Sequence, residues 1–259
     1  MIATALFLLF IPSPSAFSES VEVLSDGGIS VRFEKTGDQD QVESFKNTIL
    51  PEVKSILSDL SSDLGTPAPA SGVKISFYSP DTFGKKFPQT INTQIPAFYG
   101  RDGIHARADN EVNHILKTTL RHELTHLMID KNYGLVPAWI NEGLAELEER
   151  KITVDPEPHN IDYNTLHIAK QDGKYIPLEN LIGQGIFGRS HGTVASGLAY
   201  TTAFVAVYEL KQKSGMDSIR RYMEAVGKGK SPKDEFETVF GLSYEKFNEQ
   251  LLKTAAEKS

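Results

Sequence analysis

His122, Glu123 and His126 are the residues of this sequence best spaced to do chemistry together. They stand in the run His122-Glu-Leu-Thr-His126. Two imidazoles at i and i+4 of a helix lie one turn apart on one face and can hold a single metal ion. The carboxylate of Glu123 would then reach a water bound to that ion and take its proton, which is the apparatus of metal-assisted hydrolysis. The faces of the helix support this reading. At about 100° per residue, Val112, Ile115, Leu116, Thr119, Leu120, Leu124 and Leu127 fall on one broad arc predicted to face the core. Lys117, Thr118, Arg121 and Thr125 fall opposite. The two histidines sit at the edge of the arc and Glu123 falls inside it. A carboxylate there costs on the order of several kcal/mol unless it is paired or solvated in a cavity. A metal cleft supplies that cavity.

A catalytic zinc ion needs a third protein ligand and an open fourth position. The next helix offers candidates in Pro137-Ala-Trp-Ile-Asn-Glu142-Gly-Leu-Ala-Glu146. Glu142 and Glu146 share a face, while Ile140, Leu144 and Leu147 cluster on the other side for packing. Ala138, Gly143 and Ala145 keep the surroundings of Glu142 small, so the two helices are expected to approach closely. Glu142 is read as the third ligand. Glu146 is placed behind it, accepting a hydrogen bond from a ligating imidazole and fixing its tautomer. Read alone, this stretch is an exposed acidic face, since Glu148 and Glu149 follow. Its position after the histidine helix favours the ligand.

Several elements must position these groups. Val21 to Val23 and Ile29 to Phe33 flank Asp26-Gly27-Gly28 and read as a β-hairpin. Residues 38–64 carry helical spacing and end at Gly65. Val73 to Tyr78 reads as a strand, residues 81–96 as irregular, and Ala97 to Tyr99 and Ile104 to Ala108 as short strands. The histidine helix is expected over Asn110 to Lys131 and the second helix over Pro137 to Arg150, with proline in its first turn. Residues 151–188 show little periodicity and read as loop-rich. Helices are expected over Ala199 to Lys213, Asp217 to Ala225, Lys233 to Phe240 and Tyr244 to Ala256. Strands come early and helices late, an α+β arrangement. Two subdomains follow, 21–134 ending in the histidine helix and 135–259 mostly helical.

Composition narrows the function classes. The chain has 259 residues, 27 Lys and Arg against 34 Asp and Glu, and a net charge of −7. It has no basic stripe, which argues against a nucleic-acid partner. With no cysteine, thiol catalysis, thiolate metal sites and disulfides are all excluded. Ala3 to Ile11 is an apolar run of signal-peptide length, followed by Pro12, Pro14 and small residues up to Ser18. Residues 1–18 are therefore read as a signal peptide or N-terminal anchor, although no Lys or Arg precedes the run. The protein is expected to be exported, with no other stretch able to span a membrane.

Taken together, His-Glu-x-x-His followed by Pro-x-Trp-x-x-Glu-Gly-x-Ala-Glu resembles the gluzincins, the thermolysin-like superfamily, and most of all its small peptidase-MA-like members. The resemblance covers Gly65 to the C-terminus, and its specific part is the two helices. It implies a zincin-like fold with a small N-terminal mixed sheet, a mostly helical C-terminal part and the active-site helix between them. It also implies one zinc ion on His122, His126 and Glu142, Glu123 as general base, and a peptide or protein substrate. His126 and Glu142 are a few positions closer than their counterparts in thermolysin. A metzincin pattern is excluded, because its glycine and third histidine would fall on Ile129 and Asn132. Gluzincins often stabilise the oxyanion with a Tyr or His from the helical part, for which Tyr200 is the first candidate and His191 the second. The segment from Ala97 to Ala108 resembles the family's edge strand, which can pair with an extended peptide. His105, His114, His159 and His167 lack ligand spacing and read as surface or structural. The alternative function is a binding or scaffold protein of the cell envelope that keeps the zinc site without activity.

Overall fold

The structure, a computed structural model, describes residues 21–34, 39–88, 96–107, 112–153, 156–189 and 193–259. The leader at 1–18, Ala108, residues 110–111 at the expected start of the histidine helix, and His191 lie outside the described residues. The described chain is mixed α and β, with a small N-terminal mixed sheet and a mostly helical C-terminal part.

The strands are β1 (Val21–Asp26), β2 (Ile29–Glu34), β3 (Val73–Tyr78), β4 (Ala97–Gly100) and β5 (Gly103–Arg107). They form one sheet in the order β1-β2-β3-β5-β4. The outer pairs β1/β2 and β4/β5 are antiparallel hairpins, and the inner pairs β2/β3 and β3/β5 are parallel. Parallel neighbours need a crossover, which α1 (Gln39–Leu64) provides between β2 and β3. Its apolar spacing buries Phe45, Ile49, Val53, Ile56 and Leu60 against the sheet residues Val31, Phe33, Ile75 and Phe77. Phe45 meets both Phe33 and Phe77, ring to ring, at 5.3 and 5.2 Å.

Strand alternation divides the sheet into two faces. Ile75, Ile104 and Tyr99 are in register on the core face, and Tyr99 donates its hydroxyl to Asp130 at 2.7 Å. Ser76, His105 and Phe98 are in register on the other face, covered by α2 (Pro80–Lys86). This short helix falls where irregular chain was expected. Ser79 caps it and Pro80 opens it, a start signal within a stretch too short to show periodicity. His105 is structural, as expected, and is buried. It bonds Tyr78 Oη and Asp102 Oδ1, each at 3.0 Å, and stacks on Phe98.

Helix α3 (His114–Tyr133) carries the histidine motif. Asn113 caps its start by accepting from Leu116 N at 2.9 Å, and Gly134, at φ 73°, ends it. The expectation of one buried and one exposed face fails here. Ile115, placed on the core arc, is 67% exposed, whereas Thr118, Arg121 and Thr125, placed opposite, are buried. The cause is packing on more than one side: α3 lies against α1 and the sheet, and also against α4 (Ala138–Thr153). Thr125 tolerates burial because its hydroxyl donates to Arg121 O at 2.8 Å.

The region expected to be loop-rich contains α5 (Asn160–Gln171), a 3-10 turn (Leu178–Leu181) and α6 (Gly185–Arg189). A long span, α7 (Val194–Gly227), breaks at Gly215 (φ 74°, ψ 162°), between the two helices expected there. Helices α8 (Pro232–Phe240) and α9 (Tyr244–Lys258) complete the chain as expected. Trp139 is fully buried among Tyr222, Phe236 and Tyr244, which anchors the first turn of α4 to α7, α8 and α9.

Candidate metal centre

Helices α3 and α4 bring His122, His126 and Glu142 together. Glu142 Oε2 lies 3.7 Å from His122 Nε2 and 3.5 Å from His126 Nε2. These separations are too long for hydrogen bonds. They suit three ligands of one ion, since bonds of about 2.0–2.2 Å in a tetrahedron hold ligand atoms roughly 3.3–3.6 Å apart. Glu142 Oε2 is buried and has no hydrogen-bond partner among the described residues. An ionised oxygen left so is costly, and a cation between the three atoms would remove the cost. The group could hold a metal ion.

The outer nitrogens fix both rings. His122 Nδ1 lies 2.8 Å from Glu149 Oε2, and His126 Nδ1 lies 3.1 Å from Asn141 Oδ1. A carboxylate oxygen and an amide oxygen both accept, so each Nδ1 carries a proton and each Nε2 is the ring atom turned to Glu142, free to bind a metal once it is deprotonated. The two rings meet edge to face, 4.7 Å between centroids. The partner of His122 is thus Glu149 and not Glu146, as the spacing suggested. Glu142 and Glu149 are two turns apart on α4 and bracket the imidazole, one at each nitrogen. Glu146 lies between them along the helix and forms a second close group with His122 and Glu149.

Glu123 is 7% exposed, as its place inside the arc required. Burial raises its carboxyl above the ordinary range, and the Glu142 charge adds to this. His122, His126 and the backbone N–H of Tyr99 oppose it without cancelling it. Tyr99 belongs to β4, at the end of the sheet order. Burial alone would raise Glu142 too, but His126 and His122 bring it below the usual value. Burial would lower His122, yet Glu142 and Glu149 hold it well above its ordinary value.

Tyr200, on α7, packs against Phe187 at 5.1 Å. Burial raises its phenol, and so do the carboxylates of Glu142, Glu146, Glu123 and Glu149. The charges of the metal centre are thus felt at its hydroxyl. The helices α3 and α4 do pack closely, as expected, but Gly143 faces α7. A Cβ on Gly143 would sit 2.4 Å from Ala203 O and 2.6 Å from Val207 Cγ2, so Gly143 admits the close approach of α7.

Asn141, Gln184 and Glu149 were not read as site residues from the sequence. Gln184, in the segment before α6, helps to lower the Glu142 carboxyl, and no local pattern marks it. Glu149 had a signal, because i+7 returns to the face of Glu142 as i+4 does. Glu148, read as part of an exposed acidic face, is fully buried against Arg121. No protein-family model matches the chain, and no curated protein matches it either.

Proposed function

We propose that this protein is an exported zinc-dependent peptidase of the gluzincin type, hydrolysing peptide bonds with Glu123 as general base. One observation carries the reading: three ligand atoms, on side chains at most 13% exposed, converge from two helices beside a buried carboxylate that is not among them. A site serving only to bind a metal has no use for Glu123. Three protein ligands are the set that leaves a tetrahedral zinc its fourth position for a water, the catalytic arrangement. Bound there, zinc would supply Lewis acidity and lower the pKa of a water towards about 7.

The chain's own residues divide the remaining work. His122, His126 and Glu142 hold the ion, the two imidazoles aimed by Glu149 and Asn141. Glu123 accepts the water's proton and passes it to the leaving amine, a task its raised pKa favours. Tyr200 donates its phenolic hydrogen to the oxyanion, and a phenol held protonated far above neutral pH is fitted to donate. β4, last in the sheet order among the described strands, would offer its backbone edge to an extended peptide. Export rests on the apolar run from Ala3 to Ile11, and no helix among the described residues is long and apolar enough to cross a membrane.

The test is digestion of a diverse peptide mixture by the purified protein, read by mass spectrometry and set against Glu123→Gln. Cleavage should fall by about 10²–10⁴-fold in the variant while zinc content and folding persist. Equal turnover by the two proteins refutes the reading. One bound zinc per chain with no cleavage by wild type identifies a binding protein instead.

A further inference from the structure

Beside the metal ligands lies a set of paired charges that the reaction does not use. Arg121, on α3, is 5% exposed, and Glu148, on α4, is fully buried. Arg121 Nη2 donates to Glu148 Oε2 at 2.7 Å and to Asp63 Oδ2 at 2.5 Å. Lys151 Nζ completes the ring, at 2.7 Å from Glu148 Oε1 and 2.9 Å from Asp63 Oδ2. Two cations and two anions from α1, α3 and α4 close on one another. Asp59 Oδ2 adds a longer contact from α1 to Arg121 Nη1, at 3.6 Å.

Such a ring is a poor device for stability alone. Desolvating buried charges consumes much of what their attraction returns, and apolar replacements of similar volume are often as stable. Arg121 Nε, moreover, is buried without a partner among the described residues. What the ring does supply is geometry. Arg121 pairs with Glu148 at 2.7 Å, and the next residue on each helix forms the next pair, His122 with Glu149 at 2.8 Å. The two rungs share one helix register. The inner rung is buried and held from both sides by Asp63 and Lys151. The outer rung depends on Glu149, whose side chain is 34% exposed, and has no such support.

We propose that the Arg121–Glu148–Lys151–Asp63 ring is a positioning device for the metal centre, locking α3 and α4 in the register that sets His122 against Glu149 and Glu142. These four are positioning residues, because they act through His122 and touch neither metal nor substrate. The inference rests on the zinc reading above and concerns what keeps that site in shape.

The test compares wild type with Arg121→Leu/Glu148→Leu, which removes one rung and leaves Lys151 paired with Asp63. Zinc affinity is measured by competition with a chromophoric chelator. Ligand geometry is read from the visible absorption of the cobalt(II)-loaded protein, and folding from circular dichroism and thermal melting. The double variant should remain folded, bind zinc about 10–100-fold more weakly and give an altered cobalt spectrum. A merely structural ring would move the melting temperature and leave affinity and spectrum unchanged, which overturns the proposal. Should the double variant not fold, Arg121→Lys replaces it. That variant keeps the charge but loses the planar fork, and it should shift the cobalt spectrum and weaken zinc several-fold; no change in either overturns the proposal. Wild type without stoichiometric zinc overturns the peptidase reading and the ring's role together, whereas normal zinc in both proteins overturns the ring's role only.

Discussion

Glu149→Gln and Glu146→Gln separate what the structure says of α4 from what residue spacing suggests. Glu149 makes a 2.8 Å hydrogen bond to His122 Nδ1, and its side chain is 34% exposed. In the Glu149→Gln variant the amide oxygen could still accept, but the charge assistance would be gone. Outer partners of metal-bound histidines are commonly worth 10–100-fold in affinity, about 1.4–2.8 kcal/mol. Partial solvent screening and the retained acceptor put Glu149→Gln near the lower end, about 10-fold. Glu146 acts on His122 through its charge, whereas the hydrogen bonds to the two Nδ1 atoms come from Glu149 and Asn141. Removing the Glu146 charge therefore alters only the field of the site, and zinc should weaken by roughly threefold or less. The assay is zinc competition against a chelator of known affinity at neutral pH and constant ionic strength. A larger loss for Glu146→Gln than for Glu149→Gln would refute the assignment of the orienting carboxylate and restore the one that spacing favoured.

Two further substitutions probe neighbouring parts of the site. Gly143→Ala forces a methyl group to within 2.4 Å of Ala203 O, a backbone atom that cannot swing away. It should cost about 1–3 kcal/mol by chemical denaturation and also weaken metal binding, because Glu142 precedes it; an unchanged midpoint would mean that α4 and α7 separate freely. Tyr200→Phe keeps the ring against Phe187 and deletes only the hydroxyl. It should lower kcat by about 10²–10³-fold with zinc affinity unchanged, and a near-normal kcat would remove Tyr200 from the oxyanion role.

How far the sequence could be read depended on the reach of each signal. The hairpin, the strand Val73–Tyr78 and helix α1 were legible because their periodicity and turn residues are local. The three ligands were legible because helical pitch turns short spacings into shared faces. What escaped depended on partners distant in sequence. Arg121 looked like a solvent-facing cation because nothing near it reveals that Asp63 and Glu148 enclose it. Glu142, Glu146 and Glu149 are indistinguishable by angle around α4, and only the crossing of α3 selects the last as the partner of His122. Helix α5 was missed for a related reason. Its buried residues, Tyr163, Leu166 and Ala169, are few, and Ile161 and Ile168 remain exposed, which blurs the apolar stripe.

The electrostatics of the cleft make metal binding and pH inseparable. Burial lowers His122, but Glu142, Glu149, Glu123 and Glu146 outweigh it, so the imidazole is held well above its ordinary value of 6.5. A folded-state pKa raised in this way stabilises the metal-free protein below the unfolded value, and that contribution is lost as pH rises through the folded pKa. Above it, the carboxylates face one another with less positive charge among them. A divalent cation takes the place of that proton, and the ligand nitrogen must be deprotonated to bind it. Zinc should therefore raise the melting temperature more at about pH 8 than at about pH 6, and at neutral pH its uptake should release a proton. The release is visible as a dependence of the calorimetric binding heat on the ionisation enthalpy of the buffer. A melting shift independent of pH, with binding heats equal across buffers, would mean that His122 is neutral before the metal arrives. In that case the four glutamates around His122 could not be what prepares the site for a cation.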